Sequence, residues 1–201
     1  MLEDFFSNDL NYIIGQIIGI FALVCAIISF QSKTRKNILV FQLFGSLLFS
    51  VHFVMIGAFV GALLNLIGIL RSVIFMNNSE GEKRKKYWLW IFVVLCIGAG
   101  IATIDGDLNL SSWSIDFSAI GTYIALFPVA GMIFTTAGLW AEKPSTVRKI
   151  SIGSSPCWII YNLYNGSYAG VATEVFILSS IIIGMLRLDR KNVKSVEQNE
   201  R

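Results

Sequence analysis

The sequence predicts an all-α membrane protein with seven transmembrane helices, arranged as two parallel three-helix repeats joined by a linker helix. Three observations lead to this prediction: the apolar composition, the placement of the basic residues, and a plan that recurs 109 positions later. Of the 201 residues, 55% are hydrophobic and only 14% are charged, and the mean hydropathy is +0.67. In soluble domains about a quarter of the residues are charged, so this chain has little room for a soluble domain.

The apolar runs have the length of membrane helices, because a bilayer core of about 30 Å is crossed by roughly 20 helical residues. Two pairs of runs are joined so tightly, at Gly57 and at Gly166, that sharp turns are expected there. Glycine is the residue that adopts the backbone angles such turns need. Seven runs are predicted to be helices, at residues 12–30, 38–56, 58–76, 87–104, 118–140, 149–165 and 167–187.

The charges predict the orientation. Every basic residue except Arg71 lies between runs one and two, three and four, or five and six, or at the end of run seven and beyond. In a seven-span chain these segments share one side of the membrane. Cytoplasmic loops are the ones enriched in Lys and Arg, so the N-terminus is predicted outside and the C-terminus in the cytoplasm. The acidic N-terminus does not resemble a cleaved signal peptide, so the first helix is expected to act as the targeting element.

A repeat is indicated by the similarity of residues 57–75 to residues 166–184. Both copies begin outside and end inside, and the run at 87–104 has no counterpart. The matched pairs are Gly57 with Gly166, Gly61 with Gly170, Asn65 with Glu174, Phe49 with Trp158, His52 with Tyr161, and Gly19 with Pro128. The chain is accordingly divided into a first repeat, a linker helix with its loops, a second repeat and a cytoplasmic tail, at residues 1–76, 77–116, 117–187 and 188–201.

The 3 + 1 + 3 plan is similar to that of the SWEET and PQ-loop transporters, with Pro128 where a kink proline of the second half is expected. A closer resemblance, to the YgjV-type family of bacterial inner-membrane proteins, is carried by Phe30-Gln31-Ser32-Lys33, Arg35, Gln42, His52-Phe53, Gly57-Ala58, Gly61, Asn65 and Arg71. This resemblance implies a multi-pass protein of the bacterial inner membrane. The similarity to the SWEET and PQ-loop transporters implies a transporter, in which the substrate site lies between the repeats near mid-membrane.

Glu174 and Asn65 are the strongest site candidates. A carboxylate at mid-bilayer costs about 2.5–3.5 kcal/mol on insertion scales, and such residues are functional by default. Glu174 lies eight residues after Gly166, or about 12 Å along a helix, and Asn65 lies at the same depth by the repeat. They are predicted to line a central polar cavity in which Glu174 binds substrate or a proton. The alternative is a protonated Glu174 that only packs against a neighbouring helix.

Four further residues are predicted to contact substrate: His52, Trp158, Tyr161 and Asn162. Aromatic faces and amides suit a polar metabolite such as a sugar or nucleoside, although ordinary contacts between helices use the same residues. Arg71 lies about 7–8 Å from the basic end of its run. It is expected to extend to the lipid headgroups, with a contact to substrate phosphate or to Glu174 as the alternative.

Pro128 and Pro156 are predicted to interrupt their helices and to act as hinges, because proline removes a backbone donor. A kink without motion is the alternative. The Gly57/Gly61 and Gly166/Gly170 pairs are expected to let helices pack closely within one monomer, with formation of a homo-oligomer as the alternative. The loop at 105–117 is expected outside, with Trp113 and Phe117 at the membrane interface.

Several function classes are excluded on composition and motifs. The basic residues form no face with stacking aromatics, so nucleic acid is not expected as a partner. Cys25, Cys96 and Cys157 lie inside apolar runs and are expected to pack; neither a metal site nor a cofactor is predicted. No hydrolase or phosphate-binding motif is present, so enzyme activity is not expected. The leading hypothesis is a small SWEET-like transporter of a polar small molecule; the alternative is a non-transporting membrane scaffold or regulatory protein.

Overall fold

A computed structural model of the chain describes residues 9–32, 35–77, 86–102, 120–141 and 144–186. The predicted outer loop at 105–117 and the predicted tail at 188–201 lie outside the described residues. The described residues are α-helical apart from short turns. Their helices are α1 (Asp9–Gln31), α2 (Arg35–Met55), α3 (Phe59–Asn77), α4 (Tyr87–Ala102), α5 (Ile120–Trp140), α6 (Pro144–Ser151), α7 (Ser154–Tyr164) and α8 (Tyr168–Gly184).

Within these described segments, four helices are long and apolar enough to cross a membrane. They are α1, α2, α3 and α5, and their apolar spans run over Leu10–Ser29, Lys36–Met55, Phe59–Asn77 and Ile120–Trp140. Two more helices, α4 and α8, are apolar but shorter. The structure thus confirms an all-helical fold with membrane-type helices, while the count of seven spans stays a prediction.

The predicted helix at 149–165 differs from the observed one. It is divided into the short helix α6 and the helix α7 by a break at residues 152–153. Pro156 lies in the first turn of α7. Amides of the first turn have no acceptor within the helix, so the N–H that proline lacks costs no intrahelical hydrogen bond. The break therefore lies before Pro156, where the interruption was predicted. In α5 the helix continues through Pro128, so the interruption predicted there is not observed. The hinge roles of both prolines stay predictions.

The helices form two groups that contact each other. In the first group α1 packs on α2 and α2 on α3; in the second, α5 packs on α7 and α7 on α8. The groups meet where α1 contacts α8 and where α3 contacts α5, and α4 contacts both α3 and α5. Each contact within the first group has a counterpart in the second at the equivalent helices, and the two contacts between the groups are also equivalent. Any solute site between the groups is bounded by these helices.

The two glycine turns predicted from the sequence are present and have the same hydrogen bonds. Gly57 has φ +75° and Gly166 has φ +64°, and no other described glycine has a positive φ. In the first turn the amides of Ile56, Gly57, Ala58 and Ala62 donate to the carbonyls of His52, Val54, Phe53 and Ala58. In the second turn the amides of Asn165, Gly166, Ser167 and Val171 donate to the carbonyls of Tyr161, Leu163, Asn162 and Ser167. Every donor and acceptor is shifted by 109 positions.

Close packing at the second glycine of each pair is also confirmed. A Cβ built on Gly61 would lie 2.9 Å from the rings of Phe53 and Tyr161. A Cβ built on Gly170 would lie 2.6 Å from the amide carbon of Asn162. Phe53 and Asn162 are themselves 109 positions apart, the spacing of the predicted repeat. Gly61 and Gly170 therefore let neighbouring helices of one monomer pack closely, whereas a Cβ on Gly57 would meet no atom within 4 Å. Oligomerisation through the glycine pairs stays untested.

Replacing Gly57 or Gly166 by Ala should lower the melting temperature of the detergent-purified protein. Left-handed backbone angles cost an L-residue about 1–2 kcal/mol, and the added methyl would meet no atom within 4 Å at Gly57. The effect is therefore a backbone effect at that position.

The matched control is Gly98→Ala in α4, where a methyl also meets nothing within 4 Å. Gly98 has no positive φ, so alanine should stabilise the helix there by about 0.8–1 kcal/mol. Equal melting temperatures for Gly57→Ala and Gly98→Ala would show that the turn does not depend on glycine.

Candidate functional site

A central cavity of about 100 Å³ lies between the two groups of helices. Its walls come from α1, α2 and α3 on one side and from α5, α7 and α8 on the other, together with Ser151 at the end of α6. Phe53 and Asn162 line it near the glycine turns, and Phe41 and Ser151 line it towards the opposite end of the bundle. We call these ends the turn end and the basic end, the latter because Lys36, Lys86, Arg148 and Lys149 lie there.

Asn65 and Glu174, the two residues paired by the repeat, both line this cavity. The amide of Asn65 donates to the carbonyl of Gly61 at 2.9 Å, within its own helix. Glu174 is half-buried on α8, and Ser155 of α7 lies beside its carboxyl. The structure thus brings a carboxyl group and an amide from opposite groups of helices to the walls of one cavity.

Arg71 also lines the cavity, and the prediction that it extends to the lipid headgroups is wrong. Its side chain is only 1% exposed. One terminal nitrogen donates to the sulfur of Met132 at 2.8 Å and to the hydroxyl of Thr136 at 2.9 Å. Because α5 packs against α3 and supplies these polar partners, the guanidinium is held inside the bundle. Sequence spacing gives the depth of Arg71 but not which helix faces it.

Three buried polar atoms on the cavity walls have no hydrogen-bond partner within the described segments: Nε of Arg71, Oγ of Ser155 and Oδ1 of Asn162. Buried polar groups in proteins are nearly always hydrogen-bonded, to the protein or to ordered water. An unpartnered group costs about 1–3 kcal/mol. Each of the three atoms is itself buried, so a solute in the cavity reaches it only when its side chain turns towards the open space.

Aromatic rings close the cavity towards the turn end. Trp158 lines it and stacks on Phe53, with ring centroids 6.0 Å apart and an angle of 22° between the planes. Phe53 in turn stacks on Phe49 at 5.9 Å and 27°. The structure therefore places the predicted residues Trp158 and Asn162 on the cavity wall, and it adds Phe49 and Phe53 to them.

His52 and Tyr161 do not line the cavity, so the structure gives no support to their predicted contact with substrate. His52 is fully buried, with its Nδ1 2.7 Å from the carbonyl oxygen of Gly15 and its Nε2 2.7 Å from the hydroxyl of Ser167. A carbonyl only accepts, so Nδ1 carries the hydrogen and Nε2 accepts from Ser167. The same hydroxyl accepts from the amide of Gly170 at 3.2 Å, which caps the N-terminus of α8.

Tyr161 makes the equivalent connection in the other direction. Its hydroxyl accepts from the amide of Gly61 at 2.8 Å and donates to the carbonyl of Ala58 at 3.3 Å. Ala58 occupies the position equivalent to Ser167 but has no hydroxyl, so Tyr161 caps α3 from the opposite group of helices. Each ring thus reaches across to the other turn. We call His52, Tyr161, Ser167, Ala58 and Gly61 the turn latch.

Two residues of α1 strengthen the latch. Tyr12 and Gln16 both donate to the carbonyl of Gly166, at 2.7 and 2.9 Å, and Gln16 also accepts from the amide of Ala169 at 3.1 Å. Sequence reasoning missed both. Their repeat equivalents are Gly121 and Ala125, which have no polar side chains, so the repeat gave no signal for them.

The family comparisons agree with the membrane-type helices. A family model described as "Bacterial inner membrane protein" (Imp-YgjV) matches residues 13–192. The chain is also 24% identical over 190 residues to the inner membrane protein YgjV of Escherichia coli strain K12. That alignment covers 92% of this chain and 90% of the relative. No solved structure matches.

Tyr161→Phe should destabilise the protein because it removes the cap of α3 and leaves the buried amide of Gly61 without a partner. The expected loss is about 1–3 kcal/mol, measured as a fall in melting temperature in detergent. Adding Ala58→Ser should restore part of it, because serine at this position caps the helix as Ser167 does in α8. A double-mutant cycle gives the coupling between the two positions.

The control is Tyr164→Phe, on the same helix but exposed, which should leave stability unchanged. A melting temperature for Tyr161→Phe equal to that of Tyr164→Phe would show that the Tyr161 hydroxyl does not cap α3. A cycle without coupling would show that Ala58 and Tyr161 do not share the cap.

Proposed function

The chain belongs to the YgjV-type family of bacterial inner-membrane proteins, and we propose that it is a small transporter or facilitator of a polar small molecule. The observation that carries the proposal is the central cavity, in which Asn65, Arg71 and Glu174 meet between two groups of helices. Secondary transporters built from repeats have their substrate site in this place.

Energetics favour a transporter over a scaffold. Each charged side chain placed at mid-membrane costs about 2.5–3.5 kcal/mol on insertion scales. In a purely structural core, replacing such groups by packed apolar residues is often neutral or stabilising. A chain that retains Arg71 and Glu174, together with unpartnered atoms on Arg71, Ser155 and Asn162, is better explained by a role for them in binding a solute.

The proposed architecture is seven spans in two parallel repeats. The identical hydrogen bonds of the two glycine turns support it, as do the equivalent contacts within and between the groups. In this arrangement α6 and α7 together form the sixth span, and the basic end faces the cytoplasm, with the N-terminus outside. The cavity then extends towards the cytoplasm, and the turn latch closes the outer side.

Transport would require the latch to open. Net contributions of ordinary hydrogen bonds are about 0.5–1.5 kcal/mol each, so the bonds of His52 and Tyr161 across the groups are few and weak enough to exchange. A bound solute would shift the equilibrium through its differential affinity for the two states. Rocking of one group against the other would use the break at residues 152–153, where α6 ends and α7 begins, with Pro128 and Pro156 as the predicted hinges.

Glu174→Gln and Asn65→Leu should each abolish uptake without loss of folded protein. Glu174→Gln replaces the carboxylate by a neutral amide, and Asn65→Leu removes the amide, while each keeps a side chain of similar size. The measurement is uptake into proteoliposomes from an external pool of amino acids, sugars and nucleosides. The solutes taken up are identified by mass spectrometry. Flux in each variant should fall to that of empty liposomes.

Ser179→Ala is the matched control, because Ser179 is exposed on α8 and its hydroxyl bonds only to the carbonyl of Val175 in its own helix. It should transport as the unaltered protein does. Unchanged uptake in both Glu174→Gln and Asn65→Leu would contradict the central site. Absence of flux in the unaltered protein for every pool would favour the scaffold.

A further inference from the structure

We infer that the central cavity binds a small zwitterion, with its carboxylate at Arg71 and its ammonium group at Glu174, Ser155 and Asn162. The inference rests on the proposed function, because it names the substrate class of that same site. It is argued from the charges and unpartnered atoms of the cavity walls.

The anion-binding side is Arg71. Only one of its three nitrogens is occupied, by Met132 and Thr136, and its Nε has no partner within the described segments. Met132 and Thr136 are neutral, so they do not compensate the charge. A guanidinium binds a carboxylate through parallel hydrogen bonds, and such bonds are about twice as strong as neutral ones. A carboxylate in the cavity would supply both the missing acceptor and the missing charge.

The cation-binding side lies on α7 and α8. An ammonium group has three donors and no acceptor, so it needs about three oxygen atoms around it. The unpartnered Oδ1 of Asn162 and Oγ of Ser155 are two such atoms, and the carboxyl of Glu174, beside Ser155, is the third group. All three residues line the cavity, and Glu174 is the only ionisable one among them.

The two charges do not neutralise each other directly. The guanidinium of Arg71 and the carboxyl of Glu174 line one cavity, yet no ion pair joins them in the part of the chain that the structure describes. A neutral sugar would compensate neither Arg71 nor Glu174. An anion would compensate only Arg71, and a cation would compensate only Glu174. A zwitterion satisfies both and keeps the site neutral overall.

The size of the cavity limits the solute. Space of about 10–15 Å³ on this measure holds one water molecule, so a cavity of about 100 Å³ holds several waters or a solute with a similar number of heavy atoms. The stacked rings of Phe53 and Trp158 close it at the turn end. A small α-amino acid has the right size and the right charges.

The test uses the full chain purified in detergent and titrated with glycine, L-alanine and L-serine by calorimetry. Each is compared with its amide, which lacks the carboxylate, and with its N-acetyl derivative, which lacks the ammonium group. The parent amino acid should bind about tenfold or more tightly than either derivative, as expected for the loss of one charge-assisted contact. Glucose, as a neutral polyol, should not bind.

Variants assign the two ends. In Arg71→Gln the advantage of the parent over its amide should disappear, and in Glu174→Gln the advantage over its N-acetyl derivative should disappear. If Arg71→Gln does not fold, Ser155→Ala is the alternative variant, because it removes one hydroxyl and keeps a side chain of nearly the same size. It should weaken binding of the parent amino acid by about tenfold. Ser179→Ala should bind as the unaltered protein does.

Binding of glucose but of no amino acid would overturn the inference, and transport of a neutral solute would then still stand. Equal affinity for an amino acid and both derivatives would also overturn it. Binding with the expected preference in a protein that gives no flux in proteoliposomes would support the zwitterion site and overturn the proposed transport.

Discussion

The hydrogen bonds that cross between the two glycine turns set the arrangement of the whole bundle. Gly57 and Gly166 reverse the chain with positive φ, and each leaves a helix N-terminus that needs a cap. The cap of α3 comes from Tyr161 of the opposite group, and the cap of α8 comes from Ser167, which is bonded to His52 of the opposite group. Because each group completes the other at this end, the space between them is closed here and can widen only towards the basic end.

Charge has an equally specific arrangement. Arg71 is held by neutral atoms of α5, and Glu174 lies on α8 beside neutral residues of α7. Bringing the two side chains together would be the simplest way to reduce their cost inside a membrane, since a nearby opposite charge compensates each of them. Because Arg71 and Glu174 are held apart on the walls of the cavity, a solute that enters the cavity can compensate both side chains. The turn latch, in contrast, uses only neutral groups with complete hydrogen bonds.

The sequence predicted the parts of this structure that depend on local chemistry or on the repeat. Helix content, both glycine turns, close packing at Gly61 and Gly170, and the position of Asn65 and Glu174 on the walls of one cavity follow from residue type and the spacing of 109 positions. Arg71 was misplaced because depth along a helix does not tell which neighbour it faces. The capping by Tyr161 was missed because it depends on Ala58 lacking a hydroxyl at a position where Ser167 has one. The break at residues 152–153 lies at Gly153, packed on Phe134, and not at the proline that the sequence emphasised.

The most direct test of the central claim is the accessibility of a single cysteine at position 135 in a protein whose native cysteines are replaced, because Thr135 lines the cavity and is half-buried. A thiol reagent that does not cross membranes should modify Thr135→Cys from the cytoplasmic face, in inside-out vesicles, and not from the outer face, in right-side-out vesicles. Lys149→Cys, at the exposed basic end, is the reactive control, and Ala58→Cys, buried in the latch, is the unreactive one. Failure of Thr135→Cys to react from either face, with Lys149→Cys reacting normally, would mean that no water-filled cavity separates the two groups of helices.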